Sequence, residues 1–252
     1  MLKLIGLGLY DEMDISLRGL EELKKCDKVY CELYTSPWFG DLGKLEKIIG
    51  KKIVLVDRKF LEDESWKIVE EAKEKNVALL TPGDPLVATT HISIILEAEK
   101  KGIKYKVIHS SSIVSAIAET GLEIYKFGKI VTIPFLEKLN ANLPFSVYDS
   151  IKINKLVGLH TLCLLDIDYQ QKKFMKPNEA AKILLKMEEE RKEKVIAEEE
   201  KILIACQLGS EDSRIYYLPI RDVIKRSDWK IPAAIVITGK LHFIEKEKIE
   251  SL

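Results

Sequence analysis

The chain lacks any apolar run long enough to span a bilayer, which excludes a helical membrane protein. It lacks an excess of either charge: 40 basic residues meet 40 acidic ones, so the broadly basic footprint of a nucleic-acid-binding protein is absent and direct nucleic-acid binding is not expected. It has only four cysteines, Cys26, Cys31, Cys163 and Cys206, with no Cys-x-x-Cys pair and no His/Cys cluster at zinc spacing. No metal site is therefore expected, and Cys163 and Cys206, inside apolar runs, read as small buried hydrophobes. The four histidines, His91, His109, His160 and His242, are too scattered to spell a metal site or a triad. Internal repeats and low-complexity tracts are missing. Met1-Leu2-Lys3 leads straight into a strand without a signal-peptide pattern, so a cytoplasmic location is expected.

What is present fits a folded α/β protein. Of 252 residues, 46% are hydrophobic and 32% charged, enough for one large or two modest domains. Short apolar runs at 2–7, 28–32, 53–56, 77–80 and 105–108 read as strands. Segments 15–26, 41–49, 64–75, 89–101 and 112–119 read as helices; in 64–75, Trp66, Val69, Ala72 and Lys73 recur near helical spacing. This alternation predicts βαβ units and a mostly parallel sheet. Gly121 to Gly128 looks like a junction, giving an N-terminal domain over 1–121 and a C-terminal domain over 122–252. Beyond it, 130–134, 161–167, 202–206, 215–219 and 233–238 read as the strands of a mixed sheet, and 135–145 as a loop. Asn178 is the expected cap of a helix carrying Ala181, Leu184, Leu185 and Glu188, and the charged run 188–194 its solvated end.

Two turns carry the functional signal. Leu79-Leu80-Thr81-Pro82-Gly83-Asp84-Pro85 ends a buried strand abruptly, because Pro82 and Pro85 remove backbone donors and Gly83 permits positive φ. Gly6-Leu7-Gly8 ends the first strand similarly, and the two turns are expected to face each other across one crevice at strand carboxyl ends. Asp84 alone reads as a turn former whose carboxylate takes backbone N–H groups. Ser110-Ser111-Ser112 reads as a helix N-cap. Tyr10, Asp11 and Glu12 are candidates for substrate contact. Gly6-x-Gly8 lacks the third glycine of a dinucleotide fold, and no G-x-x-x-x-G-K-S/T occurs, so a phosphate-binding nucleotide enzyme is a weak reading.

The segments GLGLYDEMDIS (6–16), CELYTS (31–36), LLTPGDPLVATTH (79–91), TGLEIYKFGK (120–129) and GLHTLCLLDI (158–167) resemble, in colinear order over nearly the whole chain, the archaeal and eukaryotic diphthine synthases. These belong to the tetrapyrrole-methylase-like class of S-adenosylmethionine methyltransferases. Porphyrin and cobalamin methylases of that class typically open with GxGPGD; Gly-Leu-Gly-Leu-Tyr-Asp here favours the diphthine branch. The resemblance implies two α/β domains with an S-adenosyl-L-methionine cleft between them. It places cofactor contacts at Leu9, Asp84, Val87, Ser112, Ile113, Leu165, Leu208 and Ala233. It implies a homodimer whose substrate is translation elongation factor 2, trimethylated on the amino group of a 3-amino-3-carboxypropyl chain on histidine, to give diphthine. No residue is identified as the base that removes the amine proton. The main task left to the protein is alignment of donor and acceptor, which contributes roughly 7–11 kcal/mol. The alternatives are a corrin or porphyrin methylase of the same fold and a non-catalytic module that binds the elongation factor.

Overall fold

The computed structural model describes residues 1–252, which divide into two compact units, Met1–Val114 and Ser115–Leu252. The first unit runs β1 (Leu2–Gly6), α1 (Leu17–Lys24), β2 (Lys28–Glu32), α2 (Leu42–Ile49), β3 (Ile53–Val56), α3 (Arg58–Asp63), α4 (Trp66–Glu71), β4 (Val77–Thr81), α5 (Ile92–Lys100) and β5 (Tyr105–Ile108). Its sheet has the order β3-β2-β4-β1-β5, and every pairing is parallel. Parallel sheets of this kind are buried on both faces. Leu2, Leu4, Tyr30, Val77 and Leu79 pack on one face with Leu61, Ile68, Val69, Ile94 and Ala98. Ile5, Val29, Cys31, Ala78, Leu80 and Ile108 pack on the other with Leu23, Leu45 and Ile49. One charge intrudes: Lys3, 3% exposed, sits 2.8 Å from Glu22. Lys3, and after it Lys106, hold the Glu22 carboxyl down to about 2.

The expected helix over 64–75 is the shorter α4, Trp66–Glu71, preceded by a separate helix, α3; its buried face is Ile68, Val69 and Ala72, while Trp66 is exposed. Asp57 caps α3 through the Phe60 N–H, while α4 starts after Ser65 without a side-chain cap bond.

α6 (Ile113–Ala116) spans the division between units. The second unit continues with β6 (Val131–Ile133), α7 (Phe145–Leu156), β7 (Thr161–Leu165), β8 (Ile167–Asp168), β9 (Lys173–Phe174), α8 (Pro177–Arg191), β10 (Lys201–Cys206), β11 (Arg214–Pro219), α9 (Ile220–Lys225), β12 (Ala233–Ile237) and α10 (Phe243–Glu250). Its main sheet, β11-β10-β12-β7-β6, is antiparallel except for β6 with β7, and so is mixed as expected. No helix is long and apolar enough to cross a membrane. All four cysteines are free and buried, and burial pushes Cys163 up to about 12.

Lys176, not Asn178, is the cap of α8; Pro177 opens the helix and Glu179 accepts the Lys176 N–H at 2.8 Å. The run 188–194 is not merely solvated: the Glu188 carboxylate takes the N–H groups of Lys194, Val195 and Ile196 and the Tyr148 hydroxyl, fastening the chain that leaves α8. A second fastening is fully buried. Glu245 on α10 accepts from His160 Nε2 at 3.1 Å, from the Glu123 and His242 N–H groups, and from Lys126. Gly239 N–H donates to His160 Nδ1, so His160 carries its proton on Nε2.

Candidate functional site

Three strands of the first unit, β4, β1 and β5, are neighbours, and the loops leaving their carboxyl ends are residues 82–91, 7–16 and 109–112. Ligands of open α/β sheets bind at such ends. The two glycine turns do not face each other across open space; they are paired. Gly83 N–H donates to Gly8 O at 2.7 Å and Gly8 N–H to Gly83 O at 3.2 Å, an antiparallel bridge. Both glycines have positive φ, 83° at Gly8 and 69° at Gly83. A Cβ on Gly8 would lie 2.3 Å from the Asp14 Cβ, so the close wrap of the first loop needs glycine there.

Asp84 links the outer two loops. Its Oδ1 accepts the Leu86 N–H at 3.0 Å; its Oδ2 accepts the Ser110 N–H at 3.2 Å and faces His109 Nδ1 at 2.8 Å. The residue is 5% exposed, yet the His109 side chain is 68% exposed. The turn-former reading of Asp84 thus holds, with an added partner that spacing concealed. A carboxylate only accepts, so His109 carries a proton on Nδ1, and in the neutral ring Nε2 keeps the lone pair.

His91 shapes the same turn from beneath. Its Nδ1 meets Pro85 O at 3.1 Å, and the Thr89 hydroxyl donates to that same carbonyl at 2.7 Å. Burial lowers the His91 pKa and keeps the ring neutral, and its buried Nε2 has no protein partner. Ala88, next to Val87, holds φ 55°, a conformation costly for a residue with a Cβ.

At the end of β2, Glu32 is fully buried, with its carboxyl bonded to the Tyr34 and Thr35 N–H groups and the Thr35 hydroxyl. Burial outweighs these bonds and raises it to about 7. Of the substrate-contact candidates, Glu12 is committed elsewhere: it accepts the Asp41 N–H at 2.8 Å and pairs with Lys44 at 3.0 Å. The Asp41 N–H is the largest cause that lowers its pKa. Tyr10 stacks on Phe39 with ring centroids 5.2 Å apart, and Asp11 takes the Met13 N–H.

Leu9 and Val87 are half-buried in the first and second loops, and Ser112 is buried beside half-buried Ile113 where α6 begins. In the second unit, Leu165 ends β7, Ala233 opens β12 and Leu208 follows β10. Antiparallel pairing of Leu164 with Ala234 and of Cys206 with Ala233 brings these three to one end of the second sheet. Leu208 sits between two positive-φ residues, Gln207 and Gly209. Sequence reasoning missed His109, because its partner lies 25 residues away on a different loop.

The donor set suits S-adenosylmethionine in kind. The Asp84 carboxylate retains an acceptor direction on Oδ1 for a hydroxyl or ammonium, and Leu9 and Val87 offer apolar surface at the same sheet end.

The tetrapyrrole (corrin/porphyrin) methylase family pattern matches residues 1–224. The chain is similar to the diphthine synthase of Methanococcus vannielii, 46% identical over 254 aligned positions that cover 100% of this chain and 98% of that protein. It is 44% identical over 255 positions to that of Methanocaldococcus jannaschii, with the same coverage. A crystal structure of a diphthine synthase superposes with a TM-score of 0.88 at 34% identity, covering 99% of this chain and 94% of the other. The chain belongs to the tetrapyrrole methylase family, in its diphthine synthase branch, and is an S-adenosylmethionine-dependent methyltransferase.

Proposed function

We propose that this enzyme acts in diphthamide biosynthesis, transferring three methyl groups to the amino nitrogen of a 3-amino-3-carboxypropyl chain carried on a histidine of translation elongation factor 2, to give diphthine. The observation that carries the reading is the full-length likeness to diphthine synthases, with both chains covered almost completely. We assign cofactor contacts to Leu9, Asp84, Val87, Ser112 and Ile113 in the first unit and to Leu165, Leu208 and Ala233 in the second. The proposal takes the enzyme to be a cytoplasmic homodimer.

When bound, S-adenosylmethionine supplies an electrophilic sulfonium methyl. The residues of the chain orient and select. The bridged turns at Gly8 and Gly83 fix the backbone around Asp84, and rigid placement of this kind is what alignment of donor and acceptor requires. Leu9 and Val87 exclude water from the apolar faces of the cofactor. The Ser112 and Ile113 amides suit its carboxylate.

The test is mass spectrometry of elongation factor 2 bearing the aminocarboxypropyl-histidine, incubated with the enzyme and S-adenosylmethionine. A gain of three methyl masses is expected. A gain of four indicates that the carboxylate is methylated as well. No gain, with cofactor still bound by calorimetry, redirects the reading to a tetrapyrrole acceptor.

A further inference from the structure

Methylating an amine leaves protons to dispose of. Starting from an ammonium group, three methyl additions release three protons, one before each transfer. An ammonium has no lone pair to attack with, so each round begins with loss of one of these protons.

We propose that His109, held by Asp84, is the group that takes each proton; the inference rests on the amine acceptor proposed above. Asp84 Oδ2 stands 2.8 Å from His109 Nδ1 and fixes both ring orientation and tautomer, so the accepting nitrogen is Nε2. The carboxylate also stabilises the imidazolium that forms, the role a buried aspartate plays beside a histidine base. Asp84 is itself held rigid by the Leu86 and Ser110 N–H groups. The ring stands at the carboxyl end of β5, beside the two glycine turns, and is 68% exposed. That exposure gives the proton a route out. The N–H bond of the ammonium breaks, its electron pair stays on nitrogen, the proton passes to His109 Nε2 and then to water. The ring returns to neutral before the next round. The other histidine of these loops, His91, is excluded because it is 2% exposed and its Nε2 is buried away from any substrate amine and from water.

The His109→Asn variant separates the roles, since its amide still donates toward Asp84 but nothing replaces Nε2. We expect kcat on the modified elongation factor to fall about 100-fold, with calorimetric affinity for S-adenosylmethionine within about twofold of wild type. Added imidazole should restore turnover to His109→Ala. In the free protein, nitrogen-15 NMR of the neutral His109 ring should place its proton on Nδ1 and leave Nε2 bare. A kcat within twofold of wild type in His109→Asn overturns the inference, as does an Nε2–H tautomer. A loss of cofactor affinity with kcat kept also overturns it, assigning His109 to positioning alone. If the wild-type enzyme itself leaves the modified elongation factor untouched, the acceptor reading fails first and the inference falls with it. Wild-type turnover matched by the variant sinks only the inference.

Discussion

Gly6 and Gly83 meet with no space for a side chain between them: a Cβ on Gly6 would stand 2.4 Å from the Gly83 carbonyl oxygen and 2.7 Å from the Ser110 Cβ. β1 lies between β4 and β5, so Asp84 must cross over the end of β1 to reach His109 and Ser110. It can do so because the last residue of β1 carries no side chain.

That crossing makes Gly6 and Gly83 unequal targets. Gly6→Ala should destabilise the protein by about 1–3 kcal/mol, because the clash is with backbone, and should weaken cofactor binding by spreading the three loops. At Gly83 a Cβ meets nothing closer than 3.8 Å, so Gly83→Ala carries only the strain of φ 69°, about 1–2 kcal/mol. Urea unfolding paired with calorimetry checks both; equal loss of cofactor affinity in the two variants contradicts the crossing argument.

Asp84→Ala leaves the Leu86 and Ser110 N–H groups and the His109 ring without their acceptor. The fold should survive, while affinity for S-adenosylmethionine drops about 10- to 100-fold, equivalent to one or two lost polar contacts. Unchanged affinity in a titration would remove Asp84 from the cofactor contacts.

Leu9→Arg places a long charged side chain where an apolar one is half-buried. Methyl transfer should be lost while the unfolding midpoint stays within the range of surface substitutions, about 0.5 kcal/mol. Transfer at the wild-type rate would show that the first loop is not part of the cofactor surroundings.

The second unit should lose stability in acid in two steps. Burial lowers the His160 pKa from its ordinary 6.5, so below that pH the unfolded chain gains a proton that the folded one refuses. Burial alone would raise the Glu245 carboxyl, but Lys126, the Glu123 and His242 N–H groups and His160 outweigh it and bring it down to about 2. The contribution of Glu245 is therefore complete above its ordinary 4.5 and drains away as pH falls toward 2. Denaturant midpoints should carry a His160 loss below pH 6.5, opposed in part by Glu32, and a further decline below 4.5 from Glu245. Glu245→Gln should abolish the lower step and cost about 2–4 kcal/mol at neutral pH, since it leaves Lys126 without its buried carboxylate.

Glu32 has the opposite sign. With its carboxyl raised from 4.5 to about 7, the folded chain holds a proton that the unfolded chain has already released, so stability falls as pH rises through that window. Glu32→Gln keeps an oxygen for the Tyr34 and Thr35 N–H groups and turns an amide toward the Thr35 hydroxyl. It should flatten the slope, which amounts to at most about 3 kcal/mol. A slope that persists in the variant places its origin in another group.

The strands of the first sheet were legible because parallel strands buried on both faces are continuous apolar runs, as Val77-Ala78-Leu79-Leu80 is. Helix α7 was not legible, since apolar residues occur all round it: Val147, Tyr148 and Ile151 are buried, but Ile153 and Leu156 are exposed, so no period stands out. The charged α10 hid for a related reason, having few apolar residues to mark a face. Local chemistry alone determined where the chain turns, because Pro82, Gly83 and Pro85 cannot prolong a strand whatever surrounds them. Tertiary structure decided what those turns hold. The pairing of Gly8 with Gly83 and of Asp84 with His109 depends on β1 inserting between β4 and β5, and strand order arises from packing the whole sheet, not from any stretch of residues short enough to carry a motif.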